Sequence, residues 1–258
     1  RRDSGAKAVV VDGKRINDMN DCDALADVEL RLFTGPGRHE GFQAFRHLLT
    51  TRPTGSLHDD LRGDDVSVVF YTSGTTARPK GVTLTRDCIA SSISKASAVL
   101  RLESFDVTLI AAPVSRPMAL RTQLLPSLAA GAAVVLLNGF SVGSFLHALR
   151  SDSPPTMLAL LPAALRKLLV HPDLERNDLR SVKLCVCGGD SVPADLFERF
   201  RELTGLELTE QCGMTETGMY AVNPPYGRKK PGSIGLPYYG VQLSIIDRKG
   251  RDVKWGQS

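Results

Sequence analysis

Thr72-Ser-Gly-Thr-Thr-Ala-Arg-Pro-Lys-Gly81 places four hydroxyls, two glycines, a proline and two cations in ten residues, directly after the strand-like run Asp65-Val-Ser-Val-Val-Phe-Tyr71. Small residues let a backbone approach an anion, and successive N–H groups in such turns form an anion-binding concavity. Hydroxyls add donors, and a lysine adds a mobile point charge suited to phosphate. The stretch therefore reads as a polyphosphate-binding loop. The same composition also serves ordinary polar surface turns. It is not a P-loop, because Gly74 is followed by Gly81 after six residues and Lys80 precedes Gly81, with Val82 next.

Strands and helices alternate on the far side of this loop. The pattern predicts helices over 86–102, 118–130, 142–150, 162–170 and 193–203. It predicts strands over 107–111, 133–137, 157–161, 183–187 and 207–211. Pro162 is placed to open its helix. Upstream, 6–11 and 28–33 read as strands and 42–49 as a helix, and downstream 241–247 reads as a strand. Alternation of this length predicts an α/β fold with mostly parallel sheets covered by helices.

The 258 residues are 42% hydrophobic and 23% charged, with a net charge of +4 and no long basic run. This is the composition of a globular protein with ample core, and it points to neither nucleic acid nor an acidic membrane surface as partner. The charge-free stretch from Thr122 to Leu149 is interrupted by Pro126, Gly131, Asn138 and Gly139, so it reads as helix, turn and strand and not as a membrane span. No leader is visible in Arg1-Arg-Asp-Ser-Gly5. Five cysteines without a zinc-like double pair fit a reducing, cytoplasmic setting. Cys185 and Cys187 would share one face of a strand, as core residues.

Three further segments follow strands, where open parallel sheets hold their ligands. In Gly188-Gly189-Asp190 the glycines permit close approach to a flat ligand, and the same residues also serve as a helix-opening turn. In Gln211-Cys-Gly-Met-Thr-Glu-Thr-Gly218, Thr215 can donate to a phosphate oxygen and Glu216 can hold Mg²⁺, or the pair can cap a helix. In Pro113-Val-Ser-Arg116, the arginine is either solvated or a pocket cation for a substrate carboxylate or polar group.

Taken together, these segments resemble the signatures of the adenylate-forming (AMP-binding) superfamily, in its acyl-CoA synthetase and 4-coumarate:CoA ligase-like branch. The loop matches Thr-Ser-Gly-Thr-Thr-Gly-x-Pro-Lys-Gly at nine of ten positions, departing at Ala77. Residues 211–216 resemble Tyr-Gly-Met-Thr-Glu, with Cys212 where an aromatic residue commonly stacks on adenine. Gly232-Ser-Ile-Gly-Leu-Pro-Tyr-Tyr-Gly-Val241 matches an architectural signature, and Arg116 stands where a pocket histidine is usual. A Lys that some CoA ligases carry before Phe140 is replaced by Gly139.

The resemblance implies ATP-dependent activation of a small carboxylic acid to an acyl-adenylate, then transfer to CoA. Thr72, Ser73, Gly74, Thr75, Thr76 and Lys80 would hold the phosphates. Gly188, Gly189, Asp190, Gln211, Cys212, Gly213, Met214 and Thr215 would border the nucleotide, and Glu216 would place Mg²⁺. Arg116, Met118 and Gly188 would border the acid, with Thr215, Glu216 and Lys80 as the catalytic set. It further implies a truncated large-domain core. Residues 1–63 would end a first α/β subdomain, 64–231 would form the AMP-binding core, and 232–258 would begin a β-barrel-like subdomain, with the C-terminal lid absent and the chain inactive alone. Two other readings stay open: transfer to an acyl carrier protein, and a non-catalytic nucleotide- or acyl-binding module.

Overall fold

A computed structural model describes residues 4–20, 25, 27–50, 60–72 and 78–253 and separates the chain into two units, Arg1–Arg62 and Gly63–Ser258. In the first, β1 (Ala8–Asp12), α1 (Asn17–Asn20), β2 (Leu30–Thr34), β3 (Gln43–Ala44) and α2 (Phe45–Thr50) build a parallel sheet in the order β1-β2-β3. The Asp12 carboxylate accepts from Lys14 N at 3.0 Å and caps the turn after β1. The helix expected from Phe42 starts later, because Gln43 and Ala44 first pair with Leu32 and Phe33.

The second unit opens with an antiparallel hairpin, β4 (Val66–Thr72) and β5 (Lys80–Thr85). It is followed by α3 (Arg86–Leu100), whose N-cap Thr85 accepts from Cys88 N. The remaining strands are β6 (Val107–Ile110), β7 (Ala133–Leu136), β8 (Met157–Leu160), β9 (Leu184–Gly188), β10 (Thr209–Met214), β11 (Gly218–Val222) and β12 (Leu236–Pro237). They form one sheet in the order β12-β11-β10-β9-β8-β6-β7, parallel from β7 to β10 and antiparallel beyond it. Between β6 and β7, a helix begins as α4 (Pro117–Ala119), widens into a π turn over Leu120–Leu124 and continues as α5 (Leu125–Ala129). The later crossovers use α6 (Val142–Leu149), α7 (Pro162–Leu169) and α8 (Ala194–Thr204).

The central strands β8 and β9 are covered on both faces and are buried and free of polar side chains at every position. Leu158, Leu160, Cys185 and Cys187 point into one core with Phe145, Leu165, Leu168 and Phe200 from α6, α7 and α8. The alternate residues Met157, Ala159, Leu184 and Val186 pack with Leu100 of α3 on the other face. Burial of these side chains, at roughly 25 cal/mol per Å² of apolar surface, is the main force holding the layers together. At the N-terminal ends of the strands, Asp106 accepts from Glu103 N (2.9 Å), Thr156 Oγ1 (2.8 Å) and Lys183 Nζ (2.8 Å), linking the starts of β6, β8 and β9.

Two further expectations change. The run Val241–Asp247 is not a strand, and its neighbourhood shows a single bridge, Ile246 to Asp252. Leu243, Ile245 and Ile246 are exposed, and no described strand lies beside them to complete a ladder. The expected strand 207–211 instead runs through the following motif to Met214, because β11 folds back and pairs with it. Among the described residues, no helix is long and apolar enough to cross a membrane.

Candidate active site

The carboxyl ends of β6, β8, β9 and β10 converge on one cavity of about 710 Å³, within the usual range for small-molecule sites. Pro113, Leu161, Gly189, Gly213, Met214 and Thr215 supply its strand-end wall. The facing wall comes from Cys88, Ser92 and Lys95 of α3 and from Arg116, Met118, Arg121 and Thr122 around α4 and the π turn. Tyr238 closes one side, its hydroxyl donating to Gln211 Oε1 at 3.2 Å.

The glycine pair shows why this end of the sheet needs residues without side chains. A Cβ on Gly188 would meet the Gln211 carbonyl of the neighbouring strand. Gly189 has φ +84°, and its Cβ would lie 2.9 Å from Leu161 Cδ2. Left-handed backbone of this kind favours glycine. The turn bends the chain out of β9 and leaves Gly189 on the cavity wall.

Of the residues singled out from sequence, Arg116, Met118, Gly189, Gly213, Met214 and Thr215 meet at this cavity. Gly188, Gln211 and Cys212 support it from outside the wall. Gln211 is buried with its amide engaged by Tyr238, and Cys212 Sγ lies 2.9 Å from the Tyr220 hydroxyl. Asp190 is exposed and accepts from Ser191 N. Glu216 is exposed on the turn between β10 and β11. Thr72 and Lys80 are register partners at the loop end of the β4–β5 hairpin, and Lys80 is exposed. Ser73, Gly74, Thr75, Thr76 and Ala77 lie outside the described residues.

Sequence reading missed Arg121, the most deeply buried cation of the wall. It is 2% exposed. Nη1 donates to the Thr215 carbonyl at 3.0 Å, and Nη2 donates to Ser92 Oγ at 2.7 Å and to Cys88 Sγ at 3.7 Å. Nε is buried without a hydrogen-bond partner. Burial pulls the guanidinium below the usual arginine range, with the Cys88 thiol acting in the opposite direction. An arginine nonetheless keeps its charge in a protein. The π turn places Arg121, Thr122 and Gln123 in the interior together. The available signal was a lone cation at the head of the charge-free stretch that starts at Thr122.

The wall carries Lys95, Arg116 and Arg121 and no Asp or Glu among the described residues. No described group of three or more His, Cys, Asp or Glu side chains could hold a metal ion. Mg²⁺, however, is commonly held by one or two carboxylates together with substrate phosphates and water. A single exposed carboxylate, Glu216, beside Thr215 fits that mode.

A glycine turn and Thr215 thus meet on one cavity at the strand ends, the place where open α/β sheets hold their ligands. The family model described as AMP-binding enzyme matches residues 1–258, and the chain belongs to that family. It is 32% identical over 196 residues to a feruloyl-CoA synthase of Amycolatopsis sp, covering 75% of this chain and 40% of that protein. An anthranilate CoA ligase, AuaEII, solved with anthranoyl-AMP, superposes with a TM-score of 0.89 at 26% identity, over 99% of this chain and 50% of that one. ATP-bound MatB from Rhodopseudomonas palustris gives 0.88 at 26% identity, over 99% and 50%. The chain thus spans about half the length of these solved structures.

Proposed function

We propose that this chain is the nucleotide- and acid-binding part of an AMP-forming acid–CoA ligase. The observation that carries the reading is the meeting of Gly189, Gly213, Met214 and Thr215 with a cation-lined, acid-free cavity at the strand ends. The printed activities of the relatives support it, as do the ATP and anthranoyl-AMP held by the similar structures.

In this reading a substrate carboxylate oxygen attacks the α-phosphorus of ATP. The bond to the bridging oxygen breaks, pyrophosphate leaves with that electron pair, and an acyl-adenylate remains. A thiolate, that of CoA, then attacks the acyl carbon and AMP departs. The protein supplies positioning and charge stabilisation. Thr72 to Thr76 and Lys80 hold the outer phosphates, and Thr215 donates to the α-phosphate. Gly188 to Asp190 and Gln211 to Met214 border the nucleotide, while Arg116, Met118 and Gly188 border the acid. Glu216 would hold Mg²⁺, which when bound neutralises phosphate charge. The described cysteines are free thiols, which supports a reducing, cytoplasmic setting. The domain reading is part of the proposal: 64–231 as the core, with 1–63 and 232–258 belonging to flanking subdomains.

The test is acid-dependent ATP–pyrophosphate exchange by the protein that carries this sequence, scanned over mono- and dicarboxylic acids. Exchange with at least one acid is expected, with Lys80→Ala and Thr215→Ala each slowing it about 10²-fold. Exchange without any acid, or none with any acid, would sink the reading. Supplying CoA or a carrier-protein thiol to the loaded enzyme identifies the acceptor. The 258 residues alone are expected to bind ligand without turnover, since they match half of the relatives' length.

A further inference from the structure

We propose that Arg121, presented by the π turn with Ser92 and Cys88 around it, is the anchor for a second, non-reacting anionic group on the acid, so that the preferred substrates are dicarboxylates or acids with an equivalent oxyanion. This rests on the acid-activating reading of the cavity and specifies its substrate class.

A buried cation is retained at high cost unless a counter-charge meets it. Arg121 has no carboxylate partner among the described residues; it is held by a carbonyl, a hydroxyl and a thiol. These neutral acceptors fix the guanidinium plane. Its Nε–H, buried and unpartnered, still offers a donor. The Ser92 hydroxyl is oriented too, since it donates its own proton to the Cys88 carbonyl at 2.8 Å and therefore accepts from Arg121. Fixed in this way, the guanidinium keeps the Nε–H and one Nη1–H without an acceptor, donors for a carboxylate oxygen.

The reacting carboxylate is a poor occupant of this place. It must act as a nucleophile, and an arginine paired to it would stabilise its negative charge and reduce that reactivity. A remote carboxylate has no such conflict. The other wall cations differ in kind: Arg116 is exposed, whereas Arg121 is enclosed. An oxyanion of the nucleotide is the one competing source of the same chemistry, because Thr215 links Arg121 to the phosphate side of the site.

The experiment measures equilibrium binding to the protein that carries this sequence, with and without a non-hydrolysable ATP analogue, for matched pairs of equal carbon skeleton: hexanoate with adipate, and 3-methylbenzoate with isophthalate. Wild type is expected to favour at least one diacid over its monoacid by about ten-fold or more, the scale of one enclosed charge pair. Arg121→Met should abolish that preference through loss of diacid affinity, with monoacid affinity moving less than about two-fold, and Arg121→Lys should restore part of it. Equal binding of both members of each pair by wild type would overturn the proposal without requiring any variant to fold, and would leave acid activation standing. Equal losses for both acids in Arg121→Met would show a purely structural clamp on Thr215. Weakened ATP binding with the diacid preference intact would assign the arginine to the nucleotide. Failure of any acid to bind would remove the acid-pocket reading and the anchor with it.

Discussion

Asp106 lies at the end of the sheet away from the cavity, and its carboxylate is wholly buried. Burial pushes its acid upward, yet the bond from Lys183, the Glu103 N–H and the Thr156 hydroxyl outweigh that and hold it below the ordinary value of 3.8. Asp106→Asn leaves the Lys183 ammonium without its closest partner and removes an acceptor. A loss of about 2–4 kcal/mol is expected in urea unfolding at pH 7, the range for breaking a buried pair from one side. The sign with pH follows from the depressed value. The stabilisation is complete above the unfolded-state value near 3.8 and fades as pH falls through the lower folded-state value. The gap between wild type and Asp106→Asn should therefore narrow below pH 3.8. A gap that stays constant to strongly acid pH would show that the ionised carboxylate is not what stabilises the sheet.

Between β9 and β10 the backbones approach so closely that a methyl on Gly188 would run into the Gln211 carbonyl. Gly188→Ala is expected to cost about 1–3 kcal/mol through overpacking, read as a lowered thermal midpoint. An unchanged midpoint would mean that the strands separate freely at that point. The central parallel strands β8 and β9 were legible because burial on both faces makes them runs without a polar side chain. The hairpin strand β5 was not, although Val82 and Leu84 alternate with Gly81, Thr83 and Thr85. Its glycine and threonines read as a continuation of the loop. At 241–247 the error ran the other way: alternating Val241, Leu243 and Ile245 satisfy a strand's period, but a ladder also needs a neighbour. The π turn was invisible because one extra residue per turn barely perturbs a helical pattern over thirteen positions, yet it changes which side chains turn inward.

At the scale of the molecule, Arg1–Arg62 and Gly63–Ser258 each have their own network of contacts, and the large parallel sheet belongs wholly to the second. A chain beginning at Gly63 is expected to keep a cooperative thermal transition followed by circular dichroism. Gradual, non-cooperative melting would show that the sheet depends on the first sixty-two residues. Much of the cavity could be located from sequence, since glycine and Thr-Glu turns after strands mark strand ends. Its charge character could be located only in part, through Arg116. The rest comes from α3 and the π turn, where Lys95 and Arg121 sit in helical patterns that look like ordinary surface or packing positions.

The pairing of Thr72 with Lys80 across β4 and β5 has an energetic consequence for the stretch between them. Paired residues in an antiparallel ladder have Cα atoms about 4.5–5.5 Å apart. The loop that starts after Thr72 and ends before Lys80 therefore has both ends fixed by the hairpin, and the entropy of closing it is lost on folding. If this stretch takes phosphate as proposed, the cost of bringing its two ends together is already met by the hairpin, so less of the interaction energy is consumed in assembling the receptor.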